Sequence, residues 1–245
     1  MKLKKIKEPN ANEIKSIERR SRLVSNNYNL LKDKTVAIIG VGGTGNLVAS
    51  LLARAGIGKL ILIDKDVVEE SNLERQMLFD FDDIGKNKSE VVKTKLSKFC
   101  IIVFHDCELN SDNIDKLELQ SCDLILDCTD NMETRHTINK FCVENKVPFI
   151  YTGAIQNSGV VYFVNTLDKK SPCLNCFLNQ KFGKKAKEAG VINAAVTTVS
   201  SIAASIAYNY LCFDKIEKDL IRINLDTNEF LKLSVKKNKS CNICK

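Results

Sequence analysis

Thr35-Val36-Ala37-Ile38-Ile39-Gly40-Val41-Gly42-Gly43-Thr44-Gly45-Asn46 is the stretch that decides the fold. Thr35 to Ile39 is a short β-branched, apolar run of the kind that forms strands. The glycine cluster Gly40 to Gly45 follows at once, and Asn46 to Ala55 reads as a helix with Leu47, Leu51 and Leu52 facing inward. Gly56 to Gly58 stops that helix, and Lys59 to Ile63 is a second run whose unbroken apolar character suits a strand buried on both faces of a parallel sheet. Strand, turn, helix and strand make one βαβ unit.

The alternation continues outward. After a polar stretch from Asp64 to Asn87, the pattern predicts a helix near Lys88 to Phe99 and strands near Ile101 to His105 and Leu124 to Cys128. A helix is expected over Thr134 to Asn145 and a strand over Pro148 to Thr152. Val160 to Val164 should pair with that strand antiparallel, because Gly153 to Gly159 is too short for a helical crossover. Ala194 to Leu211 reads as a long helix, and Leu220 to Asn224 with Phe230 to Ser234 as a closing antiparallel pair. Residues 1–34 read as an irregular or helical N-terminal arm with Ile14, Ile17 and Leu23 as contact points, leaving 35–245 as a single domain.

Composition sets the outer bounds. A chain of 245 residues with 44% apolar and 27% charged residues is that of a globular protein. Its uninterrupted apolar runs fall short of the roughly 20 residues a membrane span needs, and the lysine-rich start has no signal-peptide pattern behind it. A cytoplasmic protein with no membrane partner is expected. The net charge of +7 gathers at Lys2 to Lys7, Lys181 to Lys187 and Lys236 to Lys239, which read as solvated lysine or a surface for an acidic partner. No basic motif interleaved with aromatics points to nucleic acid.

Glycines between a strand and a helix let the backbone close on phosphates, while the helix start supplies oriented N–H donors. Gly40, Gly42, Gly43 and Gly45 are the residues concerned. Asp64, 19 positions past Gly45 at the end of the second strand, can accept hydrogen bonds from ribose hydroxyls. NAD and ATP both satisfy that much. The run Asp64-Lys65-Asp66-Val67-Val68-Glu69-Glu70-Ser71-Asn72-Leu73-Glu74-Arg75-Gln76, followed by Gly85-Lys86-Asn87-Lys88, separates them. It puts Asn72, Arg75, Gln76 and Lys88 beyond the strand end, where a polyphosphate needs donors and a hydride-transfer site does not.

Of ten cysteines, Cys100, Cys107, Cys122, Cys128, Cys142 and Cys212 stand singly, as small apolar residues usually do. Cys173-Leu174-Asn175-Cys176 and Cys241-Asn242-Ile243-Cys244 are two Cys-X2-Cys pairs. Four thiolates in this pattern suit a closed, structural, tetrahedral Zn²⁺ that ties the C-terminal segment to the body. Redox pairs and unliganded core thiols are the other readings.

The glycine cluster, the Asp-X-Asp-X-Val-X-X-Ser-Asn-Leu-X-Arg-Gln run, the Gly-Lys-X-Lys element and Cys128-Thr129-Asp130-Asn131 together resemble the ThiF/MoeB/HesA family, bacterial relatives of ubiquitin-activating enzymes. The likeness runs in order over roughly residues 17–245. It implies that the glycine loop binds ATP, that Asp64 holds the ribose, and that Asn72, Arg75 and Lys88 contact the phosphates with Gln76 beside them. Asp130 would hold Mg²⁺, and Asp66 and Asn131 fall within the same cofactor-binding motifs. Arg135 matches a region where an arginine supports the site. Arg19-Arg20-Ser21-Arg22 resembles an Arg-Tyr-X-Arg-Gln element whose second arginine, here Arg22, reaches the ATP of the neighbouring subunit in a homodimer. Here Arg20 replaces the tyrosine and Leu23 the glutamine.

The resemblance implies an ATP-dependent adenylyltransferase acting on the C-terminal carboxylate of a small ubiquitin-like sulfur-carrier protein. A short peptide with a free C-terminus is the alternative substrate, and a non-catalytic partner subunit the alternative of another class. Some relatives pass the acyl group to a cysteine just before a Glu-Ala-Gly-Val stretch. Before Glu188-Ala189-Gly190-Val191 this chain has Ala186 and Lys187, so adenylation without an obvious catalytic cysteine is expected. The expected architecture is α/β and Rossmann-like, a mostly parallel sheet with helices on both faces, closing antiparallel strands and a four-cysteine zinc site.

Overall fold

The computed structural model describes Ser21, residues 23–178 and residues 189–244. Arg22, Ile14, Ile17, Ala186 and Lys187 therefore lie outside the described residues. In chain order the elements are β1 (Thr35–Ile39), α1 (Gly43–Ala55), β2 (Lys59–Ile63), α2 (Lys88–Leu96), β3 (Ile101–His105), β4 (Leu124–Asp127) and α3 (Met132–Asn145). They continue with β5 (Phe149–Ile155), β6 (Ser158–Val164), the short α4 (Leu174–Phe177), α5 (Asn193–Phe213), β7 (Leu220–Asn224) and β8 (Glu229–Leu233).

All eight strands form one sheet in the order β3-β2-β1-β4-β5-β6-β7-β8. The first five are parallel and the last three join antiparallel. The order reverses between β1 and β4, and a doubly wound sheet opens its ligand crevice at such a switch, beyond the carboxyl ends of the strands. Register makes the crevice edge level: Ile39 pairs with Ile63 and with Asp127, and Ile63 pairs with His105. Gly40, Asp64, Asp106 and Cys128 thus leave the sheet side by side.

Alternation along the buried strands feeds two cores. Val36, Ile38, Leu60, Leu62, Leu124 and Leu126 pack toward α1, α2 and α5. Ala37, Ile39, Ile61, Ile63 and Ile125 point the other way, toward α3 and the paired cysteines. Helix α1 buries Val48, Ala49 and Leu52, whereas Leu51 is exposed and Leu47 half-buried. That corrects the inward face expected from the leucines: a helical stripe through Gly45, Val48, Ala49 and Leu52 follows the 3.6 period, and small residues there let α5 approach closely. Gly56 caps α1 at φ +97°.

By length and composition alone α5 could cross a membrane, but half of it is buried inside this fold, against α1, β5 and β6. Upstream of β1, Asn26–Asp33 forms a 3₁₀ helix whose Leu31 is fully buried and whose Tyr28 meets Tyr208 and Phe213 of α5 edge to face.

Candidate nucleotide site and four-cysteine cluster

Gly40 turns at φ +81°, and a Cβ there would lie 2.9 Å from the Cys128 carbonyl oxygen. A Cβ on Gly45 would lie 1.9 Å from the Gly40 carbonyl oxygen. The first turn of α1 is therefore pressed against the turn that precedes it, which only glycine permits. Helix N-termini leave their first N–H groups without intrahelical acceptors, and this one points them into the switch-point crevice. On the far side Gly43 abuts Val196, and Ser200 Oγ donates to the Thr44 carbonyl at 3.3 Å, so α5 backs the loop.

Asp64 stands at the lip of β2. Its Oδ2 accepts from the Val41 N–H at 2.7 Å and its Oδ1 from the Asp66 N–H at 2.8 Å. Burial pushes its carboxyl above its ordinary 3.8, against the pull of those two N–H groups and of Lys88. The carboxylate thus braces the glycine loop, and its remaining lone pairs stay free for a diol.

The polar stretch after β2 folds back on itself. Val68 N–H bonds the Lys86 carbonyl, Gly85 N–H bonds the Val68 carbonyl, and Lys88 N–H bonds the Asp66 carbonyl. This returns Lys88 to the crevice, where its buried side chain meets Asp66 at 3.1 Å. Asn72 and Gln76 are buried as well. Asn72 Oδ1 caps its own turn through the Glu69 N–H at 3.2 Å. Gln76 lies beside Gly42, with Nε2 3.7 Å from where a Cβ on that glycine would sit, while its Oε1 is buried without a partner. A buried amide oxygen left unpaired is costly and calls for a donor such as a hydroxyl or a water, whereas phosphate oxygens could be met only by the Nε2 end of this amide. Arg75 Nη1 is spent on the Ser71 carbonyl at 2.8 Å, so the structure places it on the same turn with its guanidinium folded back.

Beyond β4, Asp130 is exposed and makes no hydrogen bond or ion pair among the described residues. Asn131 is instead occupied, capping α3 through the Glu133 N–H at 2.9 Å and reaching Glu108 Oε1 at 3.4 Å. The Asp130 loop is held from beneath. Asp127, fully buried, accepts from Thr129 N–H at 3.1 Å and Thr129 Oγ1 at 2.7 Å. Arg135 donates to the Thr129 carbonyl and stacks over the Tyr151 ring, 4.9 Å from its centroid. Burial raises the Asp127 carboxyl, with the Arg135 charge opposing it. Asp127 is not visible as a site residue in the sequence, and Thr129 enters there only within the Cys128-Thr129-Asp130-Asn131 motif, because the two bond to each other.

On the opposite face of the sheet the two cysteine pairs converge. All four Sγ atoms lie within 4.8 Å of one another, with Cys173 and Cys241 at 3.7 Å and Cys176 and Cys244 at 3.5 Å. Four sulfurs about 2.3 Å from a tetrahedral zinc would stand ~3.8 Å apart, so the donor set fits that ion in number, chemistry and spacing. The sulfurs are themselves oriented: Asn139 Nδ2 approaches Cys173 at 3.7 Å, Asn175 Nδ2 approaches Cys241 at 3.6 Å, and Asn238 N–H approaches Cys176 at 3.4 Å. Such donors around thiolates are usual at metal sites.

A doubly wound sheet with this crevice defines a nucleotide-binding α/β protein. Comparison with known proteins narrows the class: the ThiF family matches residues 18–243, and the chain belongs to that family. It is 32% identical to the molybdopterin-synthase adenylyltransferase of Salmonella typhimurium, over 87% of this chain and 88% of that one. It is 32% identical to the sulfur carrier protein ThiS adenylyltransferase of Escherichia coli, over 87% of each chain. Its fold superposes with a TM-score of 0.80 on a crystal structure of E. coli MccB with MccA-N7isoASN, at 25% identity over 94% of this chain and 74% of that one. The protein is an E1-like adenylyltransferase of the ThiF/MoeB type.

Proposed function

We infer that the chain transfers the adenylyl group of ATP to the C-terminal carboxylate of a small ubiquitin-like sulfur-carrier protein, giving an acyl-adenylate and pyrophosphate. The observation that supports the ATP part of this reading is the switch-point crevice, where the glycine turn and Asp64 leave the sheet side by side, Gln76 lies beside Gly42 and buried Lys88 is brought back onto Asp66. The glycine loop takes the phosphates, Asp64 the ribose, and Asn72, Gln76, Lys88 and, once its guanidinium swings off the Ser71 carbonyl, Arg75 the charge of the triphosphate. Asp66 positions Lys88, and Asn131 orients the loop that presents Asp130. Phosphoryl chemistry needs positioning and charge neutralisation above all. Asp130, with its carboxylate free, would hold Mg²⁺, which offsets phosphate charge when bound. The attacking carboxylate is ionised at neutral pH, so no general base is required.

No thioester step belongs to this reading. Among the described cysteines outside the cluster, burial pushes Cys100, Cys122 and Cys128 up to about 12 and Cys212 up to about 11. Cys107 and Cys142 are raised by the same cause. A nucleophilic cysteine needs the opposite shift. Ten free thiols also favour a reducing, cytoplasmic setting, with Zn²⁺ as the structural partner of four of them. A homodimer that brings Arg22 to the neighbouring ATP completes the reading.

A short peptide is the second substrate reading, favoured by the fold likeness to MccB solved with MccA-N7isoASN. ATP–pyrophosphate exchange tests both: a carrier ending in Gly-Gly should drive exchange under the first reading, a short peptide under the second. Arg75→Ala and Asp130→Ala should each abolish exchange in a folded protein; retained exchange in either variant removes that residue from the mechanism.

A further inference from the structure

The turn that carries Arg75 and Gln76 is held internally by bonds from the Arg75 and Gln76 N–H groups to the Asn72 carbonyl, and side chains from elsewhere tie it to the rest of the fold. Asn193 at the start of α5 donates to the Glu74 carbonyl at 3.4 Å, and two further helices act together on one residue, Leu78. Asn46, fully buried in the first turn of α1, donates from Nδ2 to the Gly42 carbonyl and, at 3.1 Å, to the Gly43 carbonyl. Its Oδ1 accepts from the Leu78 N–H at 3.3 Å. Lys95 of α2 donates from Nζ to the Leu78 carbonyl at 2.8 Å. The N–H and the C=O of Leu78 are thus held from opposite sides, two positions past Gln76 and three past Arg75.

Both anchors are themselves fixed. Lys95 also meets Asp80 Oδ2 at 2.7 Å and the buried Asp83 Oδ2, so three acceptors surround its ammonium. Burial pulls that ammonium down, and the two carboxylates more than reverse it. If Asn46 were only filling space, an apolar residue would serve better beside Ala49 and Val48; its amide is instead divided between the glycine loop and Leu78.

We propose that Asn46 and Lys95 form a clamp on the Leu78 peptide groups that sets Arg75 and Gln76 at the height of the ATP phosphates, making them positioning residues for adenylation. This rests on the reading of the crevice given above. Asn46 ties the two phosphate-facing segments to each other, and Lys95 ties one of them to the body of the fold.

The test uses the full chain with its carrier substrate in the exchange assay, across ATP concentrations. In Asn46→Ala and in Lys95→Met the KM for ATP should rise about tenfold while kcat changes by less than about threefold, as expected for misplacement of ground-state phosphate contacts. Lys95→Arg should restore most of the lost affinity. The double variant should lose less than the product of the single effects, because both act on the same peptide. Hydrogen exchange at the Leu78 amide should speed up in Asn46→Ala. Val147→Ala, in the other core, provides a destabilised control whose KM for ATP stays at the wild-type value. An unchanged KM for ATP in both single variants, with only the melting temperature lowered, overturns the clamp. Arg75→Ala separates the two levels: if it exchanges normally, Arg75 leaves the mechanism and the clamp's role in placing it fails with it; if it is dead while the clamp variants match wild type, only the clamp fails. Should Lys95→Met not fold, Asn46→Ala and Asn46→Ser test the clamp from the Leu78 N–H side.

Discussion

Gly45→Ala offers the sharpest probe of the nucleotide loop, because Gly58→Ala repeats nearly the same collision at the other end of the sheet. A Cβ on Gly45 would stand 1.9 Å from the Gly40 carbonyl oxygen, and one on Gly58 would stand 2.1 Å from the Lys32 carbonyl oxygen. An ordinary carbon–oxygen contact is about 3.3 Å, so each substitution forces backbone apart by more than about 1 Å. Overpacking of this kind costs about 1–3 kcal/mol in stability, and a chain of this size loses roughly 2–4 °C of melting temperature per kcal/mol. Both variants should therefore melt a few degrees early. Only Gly45→Ala moves the start of α1 away from the Gly40 turn. Displacing positioning groups by ~1 Å costs on the order of a hundredfold in rate, or about 2.7 kcal/mol of transition-state stabilisation. ATP–pyrophosphate exchange, run well below both melting temperatures, should show that loss for Gly45→Ala and near-normal exchange for Gly58→Ala. Equal exchange in the two variants, or a Gly45→Ala protein within threefold of wild type, would refute the assignment of the phosphates to this loop.

Metal analysis of the purified protein should find about one equivalent of zinc per chain, and Cys176→Ser should lose it and melt more than about 5 °C earlier; a variant that melts like wild type removes the structural role of the cluster. Asp64→Asn tests ribose binding and linkage together. Its ATP affinity should fall roughly 10- to 100-fold with the loss of a charged acceptor. Because burial raises the folded Asp64 above 3.8, its stabilising contribution is complete below that value and lost as pH rises through the raised one. The melting temperature of Asp64→Asn relative to wild type should therefore climb with pH from about 4 toward 7; a flat or falling difference would reverse the sign of that argument.

Strand positions were legible because β-branched runs are cut off sharply by glycine or charge. The bounds of β1, β2, β3 and β7 coincide with the apolar runs at Thr35, Lys59, Ile101 and Leu220. Helix α1 starts at Gly43, three residues before the apolar pattern, because the glycine turn itself supplies the first helical turn. The 3₁₀ turns at Glu70–Asn72 and Phe81–Asp83 carried no period to read; reciprocal caps between Glu69 and Asn72, and between Asp80 and Asp83, hold them. The glycines, Asp64 and the paired cysteines could be found from residue type and spacing. Asn46 and Lys95 could not, since each acts on backbone groups of Leu78 that only the fold brings within reach, and the bond between Asp127 and Thr129, two residues apart, has no pattern of its own to read. Asn46 alone left a trace, as an amide at the start of an otherwise small and apolar helix face.

Perturbed carboxyls in a crevice usually invite an acid–base reading, and two stand at this one. Neither fits it. Asp127 is fully buried, its Oδ1 committed to Thr129 and its Oδ2 without a partner among the described residues, so burial shuts it off from a bound substrate. Asp64 has one N–H on each oxygen, which holds it as an acceptor bracing the loop rather than as a proton donor. Desolvation is the first cause of both shifts, and in both it follows from bracing a loop: Asp64 holds Val41 behind the glycines, and Asp127 holds Thr129 behind Asp130. The two loops of the switch point are thus each underpinned by a carboxylate, half-buried at Asp64 and fully buried at Asp127. That arrangement suits a reaction whose nucleophile arrives already ionised, where the protein's task is to keep a triphosphate still.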